Sequence, residues 1–262
     1  MKIACRSILF SCCVVVGLLA DAQIELYQKH WFVKNADTLP YRLLLPENYD
    51  PNRSYPLVLF LHGAGERGND NEAQLKHGGS LFLQDSIRKK YPAIVIIPQC
   101  PANSFWSNVD ILLDTITKKR SFNFKTGGRP TIAMKLLQEM LVDLESKYKI
   151  DEHRRYIGGL SMGAMGTYEL VRRKPKYFAG AIAICGGAHT KTAKHLTKTS
   201  WWIFHGKKDD VVPFHFSEDI ANALKQEGAV VKFTAYPDAN HNSWDNTFAV
   251  KDLFPWLFSN YQ

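Results

Sequence analysis

The chain reads as an α/β protein, a mostly parallel twisted sheet with helices on both faces. Three observations predict it. Short apolar runs alternate with segments of helical period from residue 55 to the end, the pattern of strands joined by covering helices. The runs at 56–61 (PLVLFL), 93–97 (AIVII), 179–185 (AGAIAIC) and 201–204 (WWIF) have no polar interruption, as in strands buried on both faces. Several of these runs end in glycine-bearing loops, which places the loops at the carboxyl edge of the sheet, where ligands bind in open α/β sheets.

Residues 1–22 are expected to be a secretory signal. Lys2 and Arg6 precede an uncharged apolar stretch, and Ala20-Asp21-Ala22 sets small residues where a signal peptidase reads. Cleavage after Ala22 leaves 23–262 as one catalytic-sized domain, secreted or periplasmic. A lipid anchor on Cys12 is the competing reading, opposed by the short distance from Arg6. Cys5, Cys12 and Cys13 leave with the signal. Cys100 and Cys185 remain at strand ends, where unpaired buried thiols are expected rather than a bridge.

The first strand, 56–61, runs into His62-Gly63-Ala64-Gly65. The second, 93–97, is stopped by Pro98. A helix spans 133–148, a strand follows at 155–157, and a helix at 166–171 closes on Arg172-Arg173-Lys174-Pro175. The strands at 179–185 and 201–204 end in Gly186-Gly187 and His205-Gly206. A helix over 217–227 stops at Gly228, a last strand covers 230–236, and a closing helix covers 251–261. Four loops, 62–68, 159–163, 205–213 and 237–244, all follow strands and are expected to meet at one edge.

Formal net charge is +8, from 33 Lys+Arg against 25 Asp+Glu, and the basic residues are scattered. With no zinc-finger spacing and no basic tract, no nucleic-acid partner is expected. Beyond the leader no apolar run approaches the ~20 residues of a membrane helix, so no membrane span is expected. The sequence has no H-E-x-x-H, C-x-x-C or EF-hand pattern, so neither a metal nor a cofactor is expected. The string Gly63-Ala64-Gly65-Glu66-Arg67-Gly68 fits G-x-G-x-x-G, but Asn69-Asp70-Asn71 beyond it is loop-like, against a dinucleotide site.

Gly159-Leu160-Ser161-Met162-Gly163 matches G-x-S-x-G between a strand and a helix. That context presents a serine hydroxyl on a sharp turn. The hydroxyl needs a base, and in this architecture the chain order is serine, acid, histidine. His241 lies after the last strand, and Asp209 and Asp210 lie after the one before it. Asp238 is a third carboxylate. His189 and His195 precede the acid and His215 follows it at once, so His241 is the candidate base. His205 is expected to be a hydrogen-bonded residue inside the strand end. The oxyanion requires two N–H donors, expected from Met162, after the nucleophile, and from Ala64 in the first loop. Glu66 and Arg67 are expected to form an ion pair bracing that loop.

These segments resemble the α/β-hydrolase superfamily, in particular serine esterases of carbohydrate esterase family 1 (feruloyl and acetylxylan esterases), polyhydroxybutyrate depolymerases and chains described as predicted peptidases. The carriers are residues 39–46 (LPYRLLLP), 59–68 (LFLHGAGERG), Pro98-Gln99-Cys100-Pro101 with Trp106, the 159–163 turn, 205–213 and Asn240-His241-Asn242-Ser243-Trp244. The resemblance implies that Asp209, in H-G-x-x-D-x-x-V-P, is the acid. Asn240 stands where relatives carry glycine, and asparagine tolerates a left-handed backbone. Only residues 188–199 lie where many lipases carry a lid, so no large lid is expected. The irregular piece 101–130 is a candidate cleft wall, and Trp106 and Trp244 are candidate substrate-binding rings. The implied activity is hydrolysis of a carboxylic ester by Ser161, His241 and Asp209, on an acetylated or feruloylated plant polysaccharide. A peptidase and a non-catalytic carbohydrate-binding protein are the alternatives.

Overall fold

The computed structural model describes residues 24–117 and 119–262, so the expected signal at 1–22 lies outside the described residues. Eight strands form one sheet in the order β1-β2-β4-β3-β7-β8-β9-β10. They are β1 (Gln28–Lys34), β2 (Asp37–Leu44), β3 (Tyr55–Leu61), β4 (Ile94–Pro98), β7 (Ile150–Leu160), β8 (Gly180–Ile184), β9 (Ser200–Gly206) and β10 (Val231–Tyr236). β1 pairs antiparallel with β2 and β2 antiparallel with β4, while all pairings from β4 through β10 are parallel. β5 (Val109–Leu113) and β6 (Arg120–Phe124) form a separate antiparallel hairpin.

The solid apolar runs follow from burial on both faces. Leu57, Leu59 and Leu61 of β3 point into one core, while Val58 and Phe60 point into the other. β9 divides in the same way, Trp201 and Ile203 against Trp202 and Phe204. The helices are α1 (Asp85–Lys90), α2 (Ile132–Lys147), α3 (Met162–Arg173), α4 (His215–Gln226), α5 (Trp244–Phe248) and α6 (Leu253–Phe258). α2 buries Met134, Leu137, Leu141 and Leu144 along one stripe, and its N-cap Thr131 hydroxyl accepts from the Met134 amide at 3.1 Å. Leu253 and Leu257 of α6 belong to the opposite core. On β8 the face toward α3 carries Ala181 and Ala183 and the other carries Ile182 and Ile184, so the helix bearing the 159–163 turn sits close to the sheet.

The sequence reading places most of its elements to within a few residues but misses β1, β2, α1 and α5, and the piece 101–130 that it reads as irregular holds the β5-β6 hairpin. β1 is an edge strand with exposed side chains over much of its length, so it carries no apolar run. Cys100 and Cys185 are unpaired and buried, as expected. Among the described residues, no helix is long and apolar enough to cross a membrane.

Candidate active site

Parallel pairing of β3, β7, β8, β9 and β10 points their carboxyl ends the same way. The loops after β3, β7, β9 and β10 therefore meet along one edge, as expected.

Ser161 joins β7 directly to α3, with φ 53° and ψ −117°. A non-glycine residue held there stores on the order of 1–3 kcal/mol of strain, tolerated because the surroundings leave no alternative. The Ser161 amide donates to the Ile184 carbonyl at 2.8 Å, and Met165 N–H donates to the Ser161 carbonyl at 3.1 Å. The turn needs its glycines: a Cβ on Gly163 would lie 1.9 Å from the Leu61 carbonyl oxygen, and one on Gly159 2.4 Å from the Gly163 oxygen.

The Ser161 hydroxyl lies 2.9 Å from His241 Nε2, and His241 Nδ1 lies 2.8 Å from Asp209 Oδ2. Since a carboxylate only accepts, Nδ1 carries the proton and Nε2 is left to accept from the serine. Of the acids considered, Asp209 makes this contact. Asp210 instead donates its amide to Asn240 Oδ1 at 3.1 Å, and Asp238 is exposed and paired with Lys208 at 2.7 Å.

Asp209 is held by four donors. Oδ2 also faces His205 Nε2 at 3.0 Å, and Oδ1 accepts from the Val211 and Val212 amides at 2.9 Å each. Burial pushes its carboxyl up, but the hydrogen bonds from His205, His241 and the Val212 amide outweigh it. The acid is held well below the usual carboxylate range. His205 is fully buried in the end of β9, as expected.

Met162 and Ala64 begin an α-helix and a 3-10 turn, respectively, so neither amide has an intrahelical partner. Both residues line the cleft beside Ser161. His62 fixes the Ala64 loop from below: its Nδ1 donates to the Gly63 carbonyl at 2.6 Å, and its Nε2 accepts from the Cys100 amide at 2.9 Å. Burial lowers the His62 ring to about 4, and it stays neutral.

The cleft has a volume of about 410 Å³. One wall is apolar, with Phe105, Phe122, Met165 and Val212, part of it contributed by the 101–130 piece as expected. The other carries Glu66, His77 and Trp244, the Trp244 ring lying 5.0 Å from His77 and 5.5 Å from His241. Sequence reasoning missed His77 as a cleft residue, because nothing local marks it, and placed Glu66 near the site only as a brace of its loop.

Three expectations need correction. Trp106 is fully buried and does not line the cleft. It packs on His62, and against Gly166 so closely that a Cβ there would lie 2.4 Å from Trp106 Cβ, so it is a core residue. Glu66 faces His77 at 3.7 Å rather than Arg67, whose guanidinium donates to the Ala64 and Ser104 carbonyls. Asn240 does not adopt a left-handed backbone; its side chain instead accepts from the Asp210 and His241 amides, tying the acid and histidine loops together.

Cys185, Asp209 and His241 are the one set among the described residues with three potential metal-ligand atoms within 4.8 Å of one another. Asp209 already spends its oxygens on four donors, and burial pushes the Cys185 thiol far up, so the set suits a hydrogen-bonded relay better than a cation.

Among solved structures, a thermostable esterase is 34% identical with a TM-score of 0.81, covering 92% of this chain and 64% of that one. A ferulic acid esterase from Anaeromyces mucronatus shares the fold at a TM-score of 0.63 and 15% identity, covering 89% and 90% of the two chains. Among curated relatives, a probable feruloyl esterase C of Aspergillus niger is 24% identical over 79% of this chain and 68% of its own length. The poly(3-hydroxyalkanoate) depolymerase C of Paucimonas lemoignei is 25% identical over 88% of this chain. The chain spans 64% of the thermostable esterase and 56% of the depolymerase, so it corresponds to part of each. The model of the phospholipase/carboxylesterase family matches residues 50–253, and the protein belongs to that family, on the α/β-hydrolase fold.

Proposed function

We propose that the protein is a serine esterase that hydrolyses carboxylic esters through an acyl-enzyme. The observation that carries this reading is the unbroken relay from Ser161 through His241 to Asp209, opening into the cleft beside two uncommitted amides. His241 Nε2 takes the Ser161 proton as the oxygen attacks the ester carbonyl, and Asp209 stabilises the imidazolium that forms. The Ala64 and Met162 amides receive the developing oxyanion. His241 then protonates the departing alcohol, and water, deprotonated by the same histidine, releases the acid.

The substrate class we favour is an acetyl or feruloyl ester on plant polysaccharide or its oligosaccharides. The aromatic wall of Phe105 and Phe122, the placement of Trp244 and the feruloyl esterases among the relatives support it. The basic, then apolar, leader sequence supports export from the cytoplasm.

The test is chromatographic release of acetate and ferulate from plant cell-wall polysaccharide, with Ser161→Ala as blank and an aryl acetate as activity control. Acid release that depends on Ser161 is expected. Aryl acetate cleavage without acid release would overturn the polysaccharide assignment while keeping the hydrolase. Full activity in Ser161→Ala, or failure of an organophosphonate to label folded protein, would overturn the mechanism.

A further inference from the structure

Hydrogen-bond accounting around His205 leaves it no acceptor role. Its Nε2 faces two oxygens, Asp209 Oδ2 at 3.0 Å and the Val212 carbonyl at 2.9 Å. A carboxylate and a carbonyl only accept, so Nε2 must carry a proton. Its Nδ1 lies 2.7 Å from Ser217 Oγ, which itself lies 2.7 Å from the Gly186 carbonyl. The Ser217 hydroxyl has one proton, and the Gly186 carbonyl can only accept it. Ser217 Oγ is thereby left with lone pairs toward His205, and Nδ1 must donate as well. Turning the hydroxyl toward Nδ1 would set Ser217 Oγ and the Gly186 oxygen 2.7 Å apart with no proton between them.

We propose that His205 is a buried imidazolium, the resident counter-ion of Asp209, and that it acts as a positioning residue tuning His241. Asp209 then sits between two histidines on the same oxygen, one charged at rest and one charged only during turnover. The pair His205⁺–Asp209⁻ is neutral overall, which reconciles complete burial of both side chains with four donors on a single carboxylate. The titratable groups around His205 are Asp209 from the loop after β9, His241 from the loop after β10, and the Cys185 thiol at the end of β8 beside Asp209. α4 presents Ser217, and Phe214 just before it packs edge-on against the ring at 5.7 Å.

The functional consequence rests on the esterase reading. His205 and His241 reach the same oxygen, so their nearest nitrogens are under about 6 Å apart. A fixed positive charge at that range opposes protonation of His241 and keeps the base free at lower pH. At an effective dielectric of about 20, its removal moves the acidic limb of the rate profile up by roughly one to two pH units.

Two measurements test this. The first is ¹⁵N NMR of the histidine rings in the intact protein, with His205→Gln assigning the signals by their disappearance. Expected are two protonated ring nitrogens on His205 at neutral pH. An unprotonated ring nitrogen on His205 at neutral pH would overturn the proposal, whether or not the protein is an esterase. The second is the pH profile of kcat/KM for aryl acetate in wild type, His205→Gln and His205→Asn. An upward shift of the acidic limb is expected, and an unmoved limb in a folded, active variant would overturn the tuning role. A merely structural histidine would lower the rate without moving the limb. Undiminished activity of Ser161→Ala would defeat the esterase reading alone, leaving the NMR result to stand.

Discussion

Acid should destabilise this protein through His62 well before it reaches the carboxylates. The ring is fully buried under the Ala64 loop, its Nδ1–H committed to the Gly63 carbonyl and its Nε2 to the Cys100 amide. Protonating Nε2 sets donor against donor at a fully buried ring. Burial accordingly lowers the ring from its ordinary 6.5 to about 4. Because the folded state prefers the neutral ring, this stability is fully present above about pH 6.5 and is lost as pH falls toward about 4. A displacement of about 2.5 pH units corresponds to roughly 3 kcal/mol, a large share of the 5–15 kcal/mol by which domains are stable. Urea unfolding at about pH 7 and about pH 4 measures it, with His62→Gln as the non-titrating reference. Wild type should lose about 3 kcal/mol more than the variant over that interval. Parallel losses in the two proteins would refute the argument, since the excess would then belong to other groups.

Further outcomes follow from the same geometry. Gly163→Ala drives a Cβ to within 1.9 Å of backbone and should prevent stable folding, whereas Gly65→Ala meets nothing within 4 Å and should change stability by less than about 0.5 kcal/mol, both read as thermal midpoints. Asp209→Asn must turn an amide against either two histidines or two backbone N–H groups, so kcat should fall on the order of 10⁴-fold; a change below tenfold would refute its role. Trp106→Ala should cost about 3–5 kcal/mol by emptying a core site. Trp244→Ala should instead leave the midpoint nearly unchanged and raise KM several-fold; the reverse pattern would exchange their assigned roles.

The chain order of Ser161, Asp209 and His241 was legible because each lies in a loop after a segment that reads locally as a strand, most plainly the apolar run 201–204 before Asp209. The turn glycines were legible for the same local reason: adjacent backbone excludes a side chain at Gly159 and Gly163. Asp209 needed the family resemblance to separate it from its neighbour Asp210, because two adjacent carboxylates differ only in where the loop aims them.

What tertiary structure alone decided depends on side-chain direction and on contacts far apart in sequence. Trp106 and Trp244 are equally aromatic and equally close to motif residues, yet one faces α3 and the other the cleft. Asn240 earns its place through a side chain that bridges two loops, rather than through its own backbone. His77 joins Glu66 and Trp244 from a segment with no pattern of its own. Local sequence therefore determined which loops carry the chemistry, because strand period and turn sterics act over a few residues. Which side chain meets which across those loops was settled only by the packing of the sheet, since partners such as Ser161 and His241 lie 80 residues apart and share no local constraint.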